Sequence, residues 1–178
     1  MKAFFREFFL TLVLALVIFL GFNSSLQTFS IYMSSMEPNF YEGQRLLVNK
    51  AVYHFNDPER GDVIIFEAPN GYNGDYIKRV IGLPGDSVEI KDGSVYVNGT
   101  ELYEPYVMSS PRYTMEEEQI PEGMYFVLGD NRNNSEDSHL GWLVPRQNIK
   151  GKAWLSTWPP GMWGAVPEYS LGEQLAGS

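Results

Sequence analysis

The sequence predicts an all-β fold: a compact barrel or sandwich of many short, mainly antiparallel strands, preceded by one N-terminal transmembrane helix. Three observations predict it. Short apolar stretches recur from Leu26 to Trp158, broken at close intervals by Gly and Pro. Lys91-Asp92-Gly93 joins two alternating stretches through an Asp-Gly pair, a strong hairpin signal. Residues 8–22 form a near-apolar run that, with Ala3 to Glu7, approaches the ~20 residues needed to cross a bilayer.

Residues 1–24 are expected to be a cytoplasmic start and a transmembrane anchor. Lys2 and Arg6 precede the apolar run, so the basic end stays in the cytoplasm and the rest of the chain faces outward. A cleaved secretory signal would put Asn23 and Ser25 at the −3 and −1 places, a poor match to a small-residue cleavage site. A buried helix of a soluble domain fits least, because the run is apolar all round and no second helix is in view to cover it.

Residues 25–158 then form one β domain of ordinary size. Thr28 to Tyr32 is rich in β formers, and Arg45 to Phe55 alternates around Leu46, Val48 and Val52. Asp62 to Phe66 is a short apolar strand introduced by Gly61. Asp75 to Gly82 is a strand stopped by Leu83-Pro84-Gly85. Ser87 to Ile90 and Ser94 to Val97 flank the hairpin turn, Met124 to Leu128 is an interior strand, and Ile149 to Trp158 runs into Pro159-Pro160. Residues 88–123 are read as a small variable hairpin-and-loop subdomain. Within it, 104–122 is irregular, with Glu116-Glu117-Glu118 as a solvated loop. Residues 159–178 are Gly-rich and predict a loosely packed tail.

The charge balance excludes some partners. The net charge of the 178 residues is −9, and beyond residue 24 the count is 11 Lys and Arg against 21 Asp and Glu. A nucleic-acid partner needs a basic face, so none is expected. The absence of Cys excludes disulfides and thiolate metal sites. His54 and His139 lack the spacing of a metal pair, so neither metal nor cofactor is expected.

Three stretches carry chemistry. Along Asp75 to Gly82, strand alternation puts Tyr76, Lys78 and Val80 on one face and Ile77, Arg79 and Ile81 on the other. Each mostly apolar face holds one cation. Burial lowers a lysine pKa, and a neutral lysine serves as a general base. A buried arginine stays charged and must find a carboxylate. The plain alternative is that Lys78 snorkels to the surface, as strand lysines usually do. Ser34-Ser35-Met36-Glu37-Pro38-Asn39 ends the first strand about ten residues beyond the apolar run, at most ~35 Å of extended chain. A serine nucleophile needs a base, and neither histidine has an acidic partner at a telling spacing. Lys78 is the one lysine in an apolar strand. The third stretch, Gly129 to Trp142, is either a self-satisfied Asx/Ser turn or the source of acceptors for interior cations. A hydroxyl orients Lys78 without charging it, whereas a carboxylate raises its pKa. The division this predicts pairs Ser135 or Ser138 with Lys78, and Asp130 or Asp137 with Arg79 or Arg132.

Four segments together resemble the type I bacterial signal peptidases, membrane-anchored serine endopeptidases that remove signal peptides. Ser35-Met36-Glu37-Pro38-Asn39-Phe40 is similar to that family's Ser-Met-x-Pro-Thr-Leu segment. Gly61 to Phe66 resembles its Gly-Asp-apolar strand, Tyr76 to Asp86 its Lys-Arg strand ending in Gly-Leu-Pro-Gly-Asp, and Gly129 to Gly141 its Gly-Asp-Asn-Arg-x-x-Ser-x-Asp-Ser loop. The resemblance runs from the anchor to about Trp158. It implies Ser35 as nucleophile, Lys78 as neutral general base and Ser135 as the residue that positions Lys78. It also implies that Asp130, Arg79, Arg132 and Asp137 form a supporting ion-pair network. The implied substrates are preproteins bound as an extended strand with small side chains at −3 and −1. The implied location is the plasma membrane, single-pass with the catalytic domain on the outer face, in contact with lipid and the export channel.

Two departures stand out. Met33 and Ser34 occupy places where the family has Ser or Gly, so the oxyanion hole would rest on the Ser35 N–H and a second donor such as the Ser34 hydroxyl. His139 stands where many members have Arg. The competing functions are a membrane-tethered β module that binds exported chains without cutting them, and a Ser/Lys peptidase with one dedicated client.

Overall fold

An N-terminal helix, α1 (Lys2–Ser25), stands where the apolar run predicts one. Phe4, Phe5, Phe8, Phe9, Leu14 and Phe19 are among the large apolar side chains it leaves exposed. The structure, a computed structural model, describes residues 2–69, 71, 73–169 and 171–175, without the side chains of residues 2, 3, 18, 20 and 22–24. Residues 170 and 176–178 of the expected tail lie outside the described residues. Among the described residues no helix is long and apolar enough to cross a membrane.

Beyond α1 the chain is β. The strands are β1 (Leu26–Ser30), β2 (Arg45–Asn49), β3 (Val63–Glu67), β4 (Asp75–Gly82), β5 (Ser87–Lys91), β6 (Ser94–Val97), β7 (Thr100–Glu101), β8 (Met115–Gln119), β9 (Met124–Leu128), β10 (Val144–Pro145), β11 (Ile149–Trp158) and β12 (Gly164–Ala165). They form an eight-stranded sheet ordered β1-β2-β11-β3-β4-β9-β10, with β12 on β11, and a four-stranded sheet ordered β7-β6-β5-β8. Pairing among the described strands is antiparallel throughout. The β5–β6 hairpin closes at Lys91↔Ser94, and Asp92 and Gly93 both take positive φ (52° and 78°), as a two-residue hairpin turn requires.

Two expectations are corrected. The strand read over Arg45 to Phe55 stops at Asn49. Its side chain accepts a hydrogen bond from the Val52 N–H (3.2 Å) and turns the chain into a short helix, α2 (Val52–Phe55). The acidic Glu116-Glu117-Glu118 run is not a loop but part of β8, which pairs with β5 through Ser87↔Gln119 and Val88↔Glu118. The backbone hydrogen-bonding edge of β5 outweighs the weak β propensity of glutamate, and the charges mark an edge strand. Most of the described tail residues are exposed, and two apolar side chains tie it down. Val166 and Leu171 are buried, Leu171 in the same core as Ile81, Val88 and Leu128, because apolar surface there would otherwise face water.

β4 sits between β3 and β9 and is buried from Tyr76 to Gly82. Tyr76 and Val80 join a core with Ile64, Phe66 and Val127. On the other face Ile77 packs with Ile31, Met36 and Val63. An interior strand apolar on both faces thus carries Lys78 and Arg79 into the protein, 1 % and 0 % exposed.

Candidate active site

Ser35 arrives at Lys78 through a tight turn. Met36, fully buried, anchors it, and Glu37 N–H donates to Ser34 O (3.1 Å) while Phe40 N–H donates to Met36 O (3.0 Å). The loop after β9 clamps the turn from the other side: Asn131 donates its backbone N–H to Ser35 O (2.9 Å) and its side-chain amide to Ser34 O (3.1 Å). This approach needs glycine at 129, where a Cβ would stand 2.5 Å from Ser35 O and 2.2 Å from Ser135 Oγ.

The Lys78 Nζ lies 2.8 Å from Ser35 Oγ and donates to the Ile77 carbonyl at 3.0 Å. It sits 5.0 Å from the centre of the Tyr76 ring. Burial pushes the Lys78 pKa down to about 8, while the charges of Asp137, Glu136 and Asp130 pull it partly back up. The two contacts suit either protonation state. The ammonium donates to Ser35 Oγ, and the neutral amine accepts the serine proton across the same gap. The pair opens into a cleft of about 560 Å³ bordered by Tyr32, Met33, Glu42 and Tyr76. A larger cavity, about 750 Å³, lies between residues 56–63 and the tail and holds neither group.

Arg79 meets the opposite fate. Its Nε and Nη2 donate to both oxygens of Asp130 at 2.9 and 2.7 Å, and Nη1 donates to Gly61 O at 2.9 Å. Burial works against its charge, but the Asp130 carboxylate outweighs burial and holds its pKa above the usual value. Asp130 also accepts from the Asn39 amide at 2.8 Å, which ties the ion pair to the serine turn.

The structure brings Ser35, Lys78, Arg79 and Asp130 together and places the other expected residues differently. Ser135 borders the same cleft, but its hydroxyl is buried without a hydrogen-bond partner among the described residues and does not bond Lys78. Lys78 already has the Ile77 carbonyl and Ser35. Ser138, the alternative, accepts instead from the Val127 N–H at 3.0 Å. Among the described residues Asp137 pairs with no arginine: it accepts from Gly129 N–H (2.9 Å) and lies 2.6 Å from His139 Nδ1. Arg132 pairs instead with both oxygens of Glu104 at 2.6 Å, 28 residues upstream. Ser34 Oγ accepts from the Asn134 amide at 2.9 Å and keeps its own proton to donate. Sequence reasoning missed Glu104, Asn39 and Tyr106, whose ring lies 4.2 Å from the Arg79 guanidinium carbon. Asn39 stood within a recognised segment and offered a signal; Glu104 sat in a stretch read as irregular and offered none.

Comparison with known proteins gives the family. The family model described as "Signal peptidase, peptidase S26" matches residues 2–158. "Signal peptidase I" of Leptolyngbya laminosa is 42% identical over 170 residues, covering 89% of this chain and 84% of that protein. "Probable signal peptidase I-1" of Synechocystis sp. is 42% identical over 144 residues, 77% of this chain and 74% of its own. "Signal peptidase IB" of Staphylococcus aureus strain COL is 35% identical over 178 residues, 89% and 92% of the two chains. The class is therefore that of the serine endopeptidases. Within that class the chain belongs to the type I signal peptidases, the peptidase S26 family.

Proposed function

We propose that this signal peptidase cleaves membrane-proximal preproteins with Ser35 as nucleophile and Lys78 as general base. One observation carries the assignment: a buried lysine amine stands 2.8 Å from a serine hydroxyl, and no carboxylate forms an ion pair with it among the described residues. The Lys78 lone pair takes the Ser35 proton as Oγ attacks the scissile carbonyl. The proton passes to the departing amine, and Lys78 then deprotonates the water that hydrolyses the ester. The Ser35 N–H and the Ser34 hydroxyl are the proposed oxyanion donors. Ser135, Asp130, Arg79, Arg132 and Asp137 support the pair, Ser135 by walling the cleft rather than by bonding Lys78.

Substrate is proposed to bind as an extended strand with small residues at −3 and −1. β1 ends the order of the larger sheet and leads within five residues to Ser35, which suits addition of a substrate strand. Residues 1–24 are proposed as the anchor, residues 25–158 as the catalytic domain on the outer face of the plasma membrane, and 88–123 as its small subdomain. Lipid and the export channel are the proposed neighbours. Support for the anchor comes from the apolar run at 8–22, from the exposed aromatic and aliphatic side chains of α1, and from the short distance to Ser35.

Cleavage of a precursor with an Ala-x-Ala junction, in detergent, by the wild type and by Ser35→Ala tests the assignment. Cleavage at the junction is expected for the wild type and none for the variant. Equal cleavage by both would point to a different nucleophile.

A further inference from the structure

The tail beyond the stretch matched by the family model is fastened at several points. β12 pairs with β11, and Val166 N–H donates to Trp154 O at 2.9 Å. Glu168 meets Lys152 at 2.8 Å. Leu171 is fully buried. Gln174 exchanges two hydrogen bonds with the Tyr103 backbone at 2.8 and 3.0 Å. Between these fastenings lies Tyr169. Its ring is 5.0 Å from that of Tyr106 and 5.2 Å from the Arg79 guanidinium carbon. Its carbonyl passes so close to Gly61 that a Cβ there would stand 2.7 Å away. Gly61 in turn supplies the carbonyl that accepts from Arg79 Nη1.

We infer that Tyr169 is a positioning residue for the reaction, closing the box around Arg79 and so holding the Ser35 turn against Lys78. This rests on the Ser35–Lys78 assignment. The physical path is short. The aromatic ring favours the cation and keeps water off it. A dry Arg79 keeps both hydrogen bonds to Asp130. Asp130 holds Asn39 of the serine turn, and the next residue, Asn131, holds Ser35 O. Lys78 shares the β4 backbone with Arg79. Loss of the ring admits water beside the guanidinium, loosens the Asp130 fork and lets the Ser35 hydroxyl drift from the amine. A displacement of about 1 Å at the reacting atoms costs up to ~100-fold in rate.

The test is steady-state cleavage of the Ala-x-Ala precursor by the full chain in detergent. The proteins are the wild type, Tyr169→Phe, Tyr169→Leu and Tyr169→Ala, with Ser35→Ala as control and thermal unfolding by circular dichroism alongside. The phenylalanine form, which keeps the ring, is expected to retain kcat within about twofold. The leucine and alanine forms are expected to be folded at the assay temperature and to lose ~10-fold or more in kcat with KM little changed. A folded leucine form with wild-type kcat overturns the inference, as does a change confined to KM. A leucine form that fails to fold while the phenylalanine form folds also overturns it, since the ring would then serve core packing alone. An active Ser35→Ala control overturns the parent assignment and this inference with it. An inactive control beside an unimpaired leucine form overturns this inference alone.

Discussion

Lys78 and Arg79 are neighbours on one strand, equally buried, and carry the same formal charge in water, yet the two faces of β4 treat them oppositely. The Lys78 face offers neutral oxygens, the Ile77 carbonyl and the Ser35 hydroxyl, and among the described residues no carboxylate forms an ion pair with it. The Arg79 face offers a two-oxygen fork from Asp130, a carbonyl and two aromatic rings. Burial charges both residues a desolvation penalty. A lysine without a carboxylate relieves it by shedding its proton near pH 8, whereas an arginine cannot and is matched by an ion pair. Burial alone therefore does not make a base; the partner withheld from Lys78 does.

The comparison breaks most sharply if both faces carry a guanidinium. Lys78→Arg is expected to fold and to lose ~10⁴-fold or more in cleavage of the Ala-x-Ala precursor, because the guanidinium keeps its proton at every assay pH. Activity within tenfold of wild type would end the assignment of Lys78 as base. Next in size is removal of the partner on the other face. Asp130→Ala leaves Arg79 charged, buried and unmatched, and should lower stability by ~3–5 kcal/mol in urea unfolding. An unchanged midpoint would show that the carbonyl and the rings suffice.

The smallest effect sharpens the contrast through pH. The Lys78 pKa is about 8 in the folded protein against an ordinary 10.5, so between those values the unfolded chain binds more protons. Wild-type stability should therefore rise with pH across that window, and the penalty for burying the ammonium should be fully present below pH 8. Lys78→Met has no such titration. Relative to it, the wild type should gain up to roughly 3 kcal/mol as pH climbs from 8 to 10.5. A stability difference that stays flat across that range would mean that Lys78 is not depressed.

Much of this is legible in the sequence. β4 was recognisable because its residues are apolar on both faces and end in a Pro-Gly turn, and that pattern survives any packing arrangement that buries the strand. The hairpin at Asp92-Gly93 was legible because two successive positive φ angles demand those residue types. β8 was not, since Met115 to Gln119 has little strand propensity of its own and pairs only because β5 presents an open edge. The contacts of the tail were hidden for a related reason. Its Gly-rich sequence has little pattern, and Leu171 and Tyr169 find a core and a cation that sequence proximity does not announce.

By itself the sequence determined the strand that carries the two cations, and the rule that an interior lysine must be neutral or paired while an interior arginine must be paired. These follow from local alternation and from the solvation of single groups. Only the tertiary structure decided who pairs with whom. It gave Glu104 rather than Asp137 to Arg132, left Ser135 beside the cleft without a bond to Lys78, and set Tyr169 near Arg79. Those choices depend on register and on distances between residues tens of positions apart. A hydrogen bond made or missed over a single ångström changes which partner wins, and no periodicity along the chain records that distance.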